Sequence, residues 1–199
     1  MPKKVDRSER KDHIVEAMLR IIHRSGFEKA TLREIAKEGD LSLGSVQYYF
    51  PKQKDIYTFA MDEIYKRFED RMQAVIQVEE DAFESAVRMI KQFVQVNTVE
   101  ERMENDIWLK FLVMATMNSE YRETIDQFRE INVKFSKDIL NTLDTNGILM
   151  DTITVEREAQ SLTTFIHGLV FELVIYGDLF DKEAIENEIR AYLQKICHY

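Results

Sequence analysis

The placement of proline and glycine most constrains how this 199-residue chain can fold. Both prolines, Pro2 and Pro51, and three of the six glycines lie within the first 51 residues. From Lys52 onward there is no proline and there are only three glycines. Because these two residue types end or weaken helices, the pattern predicts short elements first and long helices afterwards. Apolar residues recur at helical spacing and show no sustained strand-like alternation, so we predict an all-α fold of about nine helices.

The first three helices are predicted to be short and separated by tight turns. Apolar residues at helical spacing place the first helix over about residues 8–25. Thr31 and Glu34 match a capping box at the start of the second helix. Ser42 is a favourable N-cap for the third helix, which Pro51 stops after about two turns. These helices form a trihelical head.

A long fourth helix is predicted to begin near Lys52 and to join the head to the rest of the chain without a flexible linker. Its apolar stripe continues for more than five turns, roughly 35 Å at 1.5 Å per residue. We therefore expect a trihelical head domain over residues 1–51 and a helical body domain over residues 52–199. Further helices are predicted near residues 80–97, 105–118, 119–144, 154–176 and 181–196.

The charge of the chain is unevenly distributed. Residues 1–54 contain 12 Lys and Arg against 8 Asp and Glu, a balance of +4, whereas the whole chain carries −9. The remaining residues therefore hold 15 basic and 28 acidic side chains, a balance of −13. Chance can produce such a fluctuation, but a basic head on an acidic body favours contact of the head alone with a polyanion.

The second and third helices, joined by a short turn, are typical of a helix-turn-helix whose third helix enters the major groove of DNA. Gly44 lacks a side chain, so the backbone there can approach phosphates. Gln47 can pair with adenine through two hydrogen bonds, and Leu43 can contact a thymine methyl. Further candidates for phosphate or base contacts are Ser42, Ser45, Tyr48, Tyr49, Lys52 and Lys54. The alternative is a small structural helix with core aromatics, which is the interpretation that we favour for Phe50.

The stretch TLREIAKEGDLSLGSVQYYFPKQKDIY, residues 31–57, resembles the DNA-binding signature of the TetR (tetracycline-repressor-like) family of bacterial regulators. The resemblance implies a homodimeric repressor that binds a palindromic operator and is released when a small molecule binds the body. It also places Thr31 and Arg33 near phosphates. The family usually has alanine-glycine in the turn, where this chain has Gly39 and Asp40, but aspartate tolerates a left-handed conformation.

The same resemblance implies dimerisation through two C-terminal helices. The helix predicted over residues 154–176 is apolar nearly all round in its second half, so it must be covered on all sides. One side can face the body and the other a second copy. Glu172 lies inside this apolar run, where it can reach the rim, pair across the dimer or meet a cationic ligand. The candidate interface residues are Phe165, Leu169, Glu172, Leu173, Tyr176, Ile189 and Tyr192.

The body is rich in side chains that suit a cavity for a small, largely apolar or aromatic inducer. The chain has nine methionines and 21 aromatic residues, and adaptable or flat apolar surfaces are typical of such cavities. Each of these residues could instead belong to the core, and His167 could be a structural or interface histidine. The candidate cavity residues are Phe68, Phe93, Met103, Trp108, Phe111, Met114, Phe128 and His167.

We expect neither enzymatic activity nor a cofactor or bound metal. The four histidines lack metal-ligand spacing with carboxylates, and there is no glycine-rich phosphate loop. The one cysteine, Cys197, excludes an internal disulfide and a cysteine metal cluster. The apolar runs are short for a membrane span and the N-terminus lacks an apolar signal core. A cytoplasmic protein without a membrane partner is therefore expected.

Two other functions are compatible with the sequence. The first is an architectural DNA-binding protein of the same fold without an inducer, which would show little sequence discrimination. The second is a helical small-molecule-binding protein whose head no longer binds DNA, so that head substitutions would leave its activity intact.

Overall fold

The computed structural model describes residues 7–76, 81–94, 98–177 and 181–198. Within these ranges the chain forms nine α-helices and no β-strand, as predicted. Two short 3-10 turns, Phe27–Lys29 and Ser119–Tyr121, precede the second and seventh helices. The helices are α1 (Arg7–Ser25), α2 (Leu32–Glu38), α3 (Leu43–Tyr49), α4 (Gln53–Ile76), α5 (Ala82–Val94), α6 (Val99–Thr116), α7 (Arg122–Thr145), α8 (Val155–Tyr176) and α9 (Lys182–Gln194).

Local hydrogen bonds set the ends of the helices in the head. The Thr31 hydroxyl accepts the Glu34 backbone N–H at 3.3 Å, and the Ser42 hydroxyl accepts the Ser45 N–H at 3.1 Å. Between α2 and α3, Asp40 adopts a φ of 50°, the left-handed conformation that the turn requires. The two predicted N-caps and the tight turn are therefore confirmed. The predicted capping box of α2 is only half formed, because the Thr31 N–H donates to the Lys29 carbonyl at 2.9 Å.

The start of α6 differs from the prediction. A capping box begins this helix, because the Thr98 hydroxyl accepts the Glu101 N–H at 3.1 Å and the Glu101 carboxylate accepts the Thr98 N–H at 3.2 Å. The helix therefore starts at Val99, and the predicted start near residue 105 was wrong. Its first turns are mostly charged, so the apolar pattern alone does not reveal them.

Buried side chains form two hydrophobic cores. The head core contains side chains of α1, α2 and α3 together with Ile107 and Phe111 from α6. The body core contains side chains of α5, α7, α8 and α9. Helix α4 contributes to both, because Ile64 belongs to the head core and Phe68 to the body core. The side chains of α4 thus pass from the head core to the body core near the middle of the helix. The domain boundary at residue 51 stays a prediction.

Polar contacts fix the beginning of α4 to the turn that precedes α2. The Tyr57 hydroxyl donates to the Phe27 carbonyl at 2.8 Å, and the Gln53 amide donates to the Ala30 carbonyl at 2.9 Å. The rings of Phe27 and Tyr57 meet edge to face, with centroids 5.0 Å apart. Burial of the Tyr57 phenol raises its pKa. Helix α4 is therefore rigidly attached to the head.

Among the described residues, α8 alone is long and apolar enough to cross a membrane, judged by length and composition. One such helix is weak evidence for a span, since core helices of soluble proteins pass the same test. Seven of its side chains are buried in the structure, and most of them belong to the body core. We therefore interpret α8 as a packing helix.

Candidate functional site

Helix α3 presents a polar outer side above a single buried anchor. Val46 is fully buried and holds the helix against the head core. On the outer side, Tyr48 is 70% exposed. The other exposed residues of this segment are Ser42, Gly44 and Gln47. This arrangement suits a short helix that contacts another molecule along one side.

The other side chains of α3 that were predicted to contact DNA are partly buried in the protein. Leu43 and Tyr49 are half-buried and pack against the head core. Phe50, which follows the helix, is 2% exposed, so the prediction of a core role for it is confirmed. The rings of Tyr48 and Tyr49 meet edge to face at 5.1 Å. Tyr49 thus supports the exposed Tyr48, and Ser45 lies half-buried between the two sides.

Gly44 has no structural requirement inside the protein. A Cβ added at this position would meet no atom within 4 Å. The residue lies in an α-helix, where alanine is more favourable than glycine by roughly 1 kcal/mol. Packing within the described part of the chain therefore does not explain glycine at this exposed position.

The remaining predicted phosphate contacts lie at the ends of neighbouring helices. Thr31, Arg33 and Lys52 are exposed, and Lys54 is half-buried. The backbone N–H of Lys52 donates to the Asp55 carboxylate at 3.0 Å. Asp55 thus uses one of the amides that the sequence predicted to be free for phosphate at the start of α4. The lysine side chains remain available there.

A cavity of about 70 Å³ lies between α4, α5, α6, α7 and α8. Its walls come from both hydrophobic cores: Met61 and Phe128 belong to the head core, and Phe68 and Ile166 to the body core. The cavity therefore lies where the two cores meet. The lining residues are Met61, Ile64, Tyr65, Phe68, Arg71, Phe93, Glu104, Asn105, Trp108, Phe128, Asn132, Ile166, His167 and Val170.

Five of the eight predicted cavity residues line this space, namely Phe68, Phe93, Trp108, Phe128 and His167. The other three lie elsewhere. Phe111 is completely buried in the head core. Met103 and Met114 are partly buried and pack against the same core. The sequence shows that these α6 residues are apolar and lie on a helix. It does not show which of them border the cavity.

His167 is held at the cavity wall by polar and aromatic neighbours. Its Nε2 lies 3.2 Å from the Asn132 amide nitrogen, and its ring lies 5.1 Å from the Trp108 ring. Burial, together with the nearby Arg129 charge, lowers the pKa of His167, so the imidazole is neutral at pH 7. Among the residues that the structure describes, no group of three or more His, Cys, Asp or Glu could hold a metal ion.

A chain of ion pairs, which the sequence did not indicate, connects the cavity with the head. Arg67 on α4 pairs with Glu16 of α1 and with Glu104 of α6, the latter at 3.2 Å. Arg71, one turn further along α4, pairs with the other Glu104 oxygen at 3.1 Å. Glu104 is 4% exposed and, like Arg71, lines the cavity. Arg67 and Arg71 are four residues apart, but only the folded chain shows that they share one carboxylate.

Comparison with known proteins identifies the relatives of this chain. Residues 82–198, more than half of the chain, match the family described as BetI-type transcriptional repressor, C-terminal. The chain belongs to the TetR family of transcriptional regulators. This TetR-family chain is 26% identical over 197 residues to the transcriptional regulator PksA of Bacillus subtilis, covering 99% of this chain and 94% of PksA.

The names of two further relatives mention a small molecule. The nicotine-responsive transcriptional repressor HdnoR of Paenarthrobacter nicotinovorans is 24% identical over 201 residues, covering 94% of this chain and 96% of the repressor. A crystal structure of a regulator from Saccharomonospora viridis in complex with choline superposes with a TM-score of 0.79. It is 23% identical, covers 97% of this chain and 100% of that one, and shows a shared fold.

The predicted dimer residues of this TetR-family regulator divide into buried and accessible groups. Leu169, Leu173 and Ile189 are at most 6% exposed and belong to the body core. Phe165 stacks on Tyr192 with ring centroids 4.4 Å apart. The Tyr192 hydroxyl donates to Glu158 at 2.5 Å, and burial raises the tyrosine pKa. Glu172 is half-buried, and Tyr176 is 49% exposed.

Helix α8 also carries an exposed apolar stripe that the sequence prediction missed. Phe171 is 46% exposed and Ile175 is 51% exposed. With Thr164 and Gly168, which are also exposed, they recur at helical spacing along one side of the helix. A Cβ at Gly168 would meet nothing within 4 Å, so another backbone can approach closely there. The sequence does not distinguish these exposed residues from buried ones, because nearly every position of the segment is apolar.

Proposed function

We propose that this transcriptional regulator binds a palindromic operator as a homodimer through α3 and is released by a small molecule in the cavity. The observation that carries the DNA-binding part is the outer side of α3. Its exposed polar residues flank Gly44, whose missing side chain is not explained by packing. An α-helix with such a side fits the major groove. Gln47 and Tyr48 are the residues proposed to read base edges.

The exposed stripe on α8 supports the homodimer. Phe171 and Ile175 are large apolar side chains that a second copy would cover, with Gly168 permitting close contact. A two-fold axis through such a surface makes it self-complementary. Two recognition helices would then lie about one duplex turn apart, roughly 34 to 36 Å. A palindromic operator matches that symmetry.

The position of the cavity supports control by a small molecule. A ligand between the two cores would displace α4 and α6, both of which also pack in the head. The Glu16–Arg67–Glu104 ion pairs and the Lys110 ammonium, which donates to the His23 carbonyl at 3.3 Å, join α6 and α4 to α1. Names of two relatives, one nicotine-responsive and one bound to choline, also favour an organic effector. Coupling of this kind is typically about 1 to 3 kcal/mol.

The proposal assigns no chemical reaction to the protein. We place it in the cytoplasm with the DNA, with residues 1–51 as the DNA-binding domain and residues 52–199 as the sensing and dimerisation domain. A ligand can release DNA only through its different affinities for the two head arrangements.

Selection of preferred sequences from a random duplex library, repeated across salt concentrations, tests the DNA-binding part. We expect an enriched inverted repeat whose enrichment is lost in Gln47→Ala and retained in Gln127→Ala, an exposed glutamine on α7. Binding without enrichment, steeply weakened by salt, would instead support the architectural protein. If the protein does not bind DNA even at low salt, the small-molecule carrier replaces this proposal.

A further inference from the structure

The cavity of this regulator contains a charged group whose hydrogen-bonding capacity is only partly used. Arg71 Nη1 faces Glu104 at 3.1 Å. Its Nε and Nη2 are buried and have no hydrogen-bond partner within the described part of the chain. Buried donors without acceptors are rare in folded proteins and destabilising. Arg71 therefore has two N–H groups without an acceptor, which a ligand in the adjacent cavity could satisfy.

Glu104, by contrast, already has its charge compensated twice. One carboxylate oxygen faces Arg67. The other, Oε2, lies 3.1 Å from Arg71 Nη1 but has no hydrogen-bond partner among the described residues. A cationic ligand at Glu104 would have to approach two guanidinium groups and would compete with both. The neutral state of the buried His167 adds no charge to the cavity wall. The electrostatic arrangement thus favours an anion next to Arg71.

The rest of the cavity is suited to an apolar body. Phe68 and Phe93 lie with ring centroids 4.6 Å apart, and Trp108, Phe128 and Ile166 complete an aromatic and aliphatic wall. The cavity is small, about 70 Å³, so an organic ligand requires the lining side chains to move apart. Among the described lining residues, the buried polar atoms without a hydrogen-bond partner are two donors of Arg71 and one acceptor of Glu104, so donors are in excess.

We propose that the effector is an amphipathic carboxylic acid, with its carboxylate on the Arg71 guanidinium and its apolar chain or ring between the aromatic side chains. The inference rests on the proposed ligand-controlled function and names the ligand class for that cavity. A carboxylate accepts two parallel N–H bonds from a guanidinium, and such charge-assisted bonds are stronger than neutral ones. Binding would satisfy both the Nε and the Nη2 donors.

Two matched series of probes test this class. The first is decanoate, decan-1-ol and decyltrimethylammonium, and the second is 4-phenylbutyrate, 4-phenylbutanol and 4-phenylbutyltrimethylammonium. Affinity is measured by calorimetry and by the emission of Trp108, the one tryptophan of the chain, which lines the cavity. In at least one series we expect the acid to bind about tenfold tighter than its alcohol and its cation.

Variants connect the preference to Arg71. In Arg71→Met the acid should bind no better than the alcohol, whereas Arg122→Met, which removes an exposed arginine on α7, should leave the preference unchanged. The double variant Arg71→Met, Glu104→Gln keeps the charge balance of the cavity and should behave like Arg71→Met. Melting curves of each variant show that it remains folded.

Three results would overturn the inference. The first is tighter binding of the cation in both series, especially if Glu104→Gln abolishes it. The second is an acid preference that survives in Arg71→Met. In both cases a ligand binds, so the proposed ligand-controlled function stands. The third result, no binding by any of the six probes, would overturn the ligand class. Hydrogen exchange around the cavity with and without operator DNA tests the proposed ligand control separately.

Discussion

The head core and the body core differ in the length of the helices that form them. In the head, α2 and α3 are seven residues each, and side-chain caps and a left-handed turn hold their ends. In the body, α4 and α7 have 24 residues and α8 has 22. These long helices leave a cavity where they separate from the head core. In the proposed function, the short capped helices are the DNA-binding surface, and the long helices form the ligand site.

The largest expected effect distinguishes a core side chain from a cavity side chain. Phe111→Ala removes a completely buried ring from the head core and should cost about 3 to 5 kcal/mol of unfolding free energy. Phe93→Ala removes a half-buried ring beside existing empty space and should cost at most about 2 kcal/mol. Chemical denaturation of both variants measures the difference. Equal losses would contradict the division between core and cavity.

The second effect concerns the surface that the body presents to a second copy. Phe171→Glu places a charge in the apolar stripe of α8 and, because of the two-fold axis, does so twice in each dimer. We expect dimerisation to weaken by more than about 2 kcal/mol, or more than about 30-fold. Sedimentation analysis over a range of concentrations measures this change.

The control for that variant is Val113→Glu, which changes an apolar α6 residue that is 58% exposed. Dimerisation should be unaffected by this substitution. If both variants weaken the dimer equally, or if neither does, the stripe of Phe171 and Ile175 is not the interface.

The third effect separates stability from DNA binding in the head. Gly44→Ala adds a methyl group that meets no atom of the protein and improves helix propensity by roughly 1 kcal/mol. The head should therefore be at least as stable as in the wild type. The same methyl group should weaken binding to the selected operator about tenfold, or about 1.4 kcal/mol. Unchanged DNA affinity would show that the Gly44 backbone does not approach DNA.

The helix-turn-helix could be predicted from the sequence because its determinants are local. Thr31, Ser42 and Pro51 act on the helix ends next to them, and Asp40 adopts its left-handed turn within the same short segment. The prediction therefore needed no knowledge of distant parts of the chain.

The cavity and the exposed stripe could be predicted only in part, because they depend on contacts between distant segments. Phe93 and Phe111 are both apolar residues on helices, yet one borders the cavity and the other fills the head core. Leu169 and Phe171 are two positions apart on α8, and helix rotation alone makes the first buried and the second exposed. The Glu104 ion pairs connect residues of three helices and have no local signature.

The smallest effect is a pH dependence of the body. The pKa of His167 is lowered in the folded state by burial and by Arg129, whereas in the unfolded chain it is about 6.5. As pH falls below about 6.5, the unfolded chain takes up this proton before the folded protein does, so stability decreases. Thermal unfolding between pH 7.5 and 5 measures the loss. His167→Gln should flatten the curve, whereas replacing the exposed His198 should not.

Hydrogen exchange with and without the selected operator tests most directly the claim that the cavity joins the two cores. Coupling is reciprocal, so DNA that senses the cavity must also alter it. We predict changed exchange at residues 31–54, which are proposed to contact DNA. We also predict changed exchange at residues 61–71 and 104–111, which lie around the cavity and its ion pairs. Changes confined to residues 31–54 would contradict the account, because the head would then bind DNA without affecting the cavity.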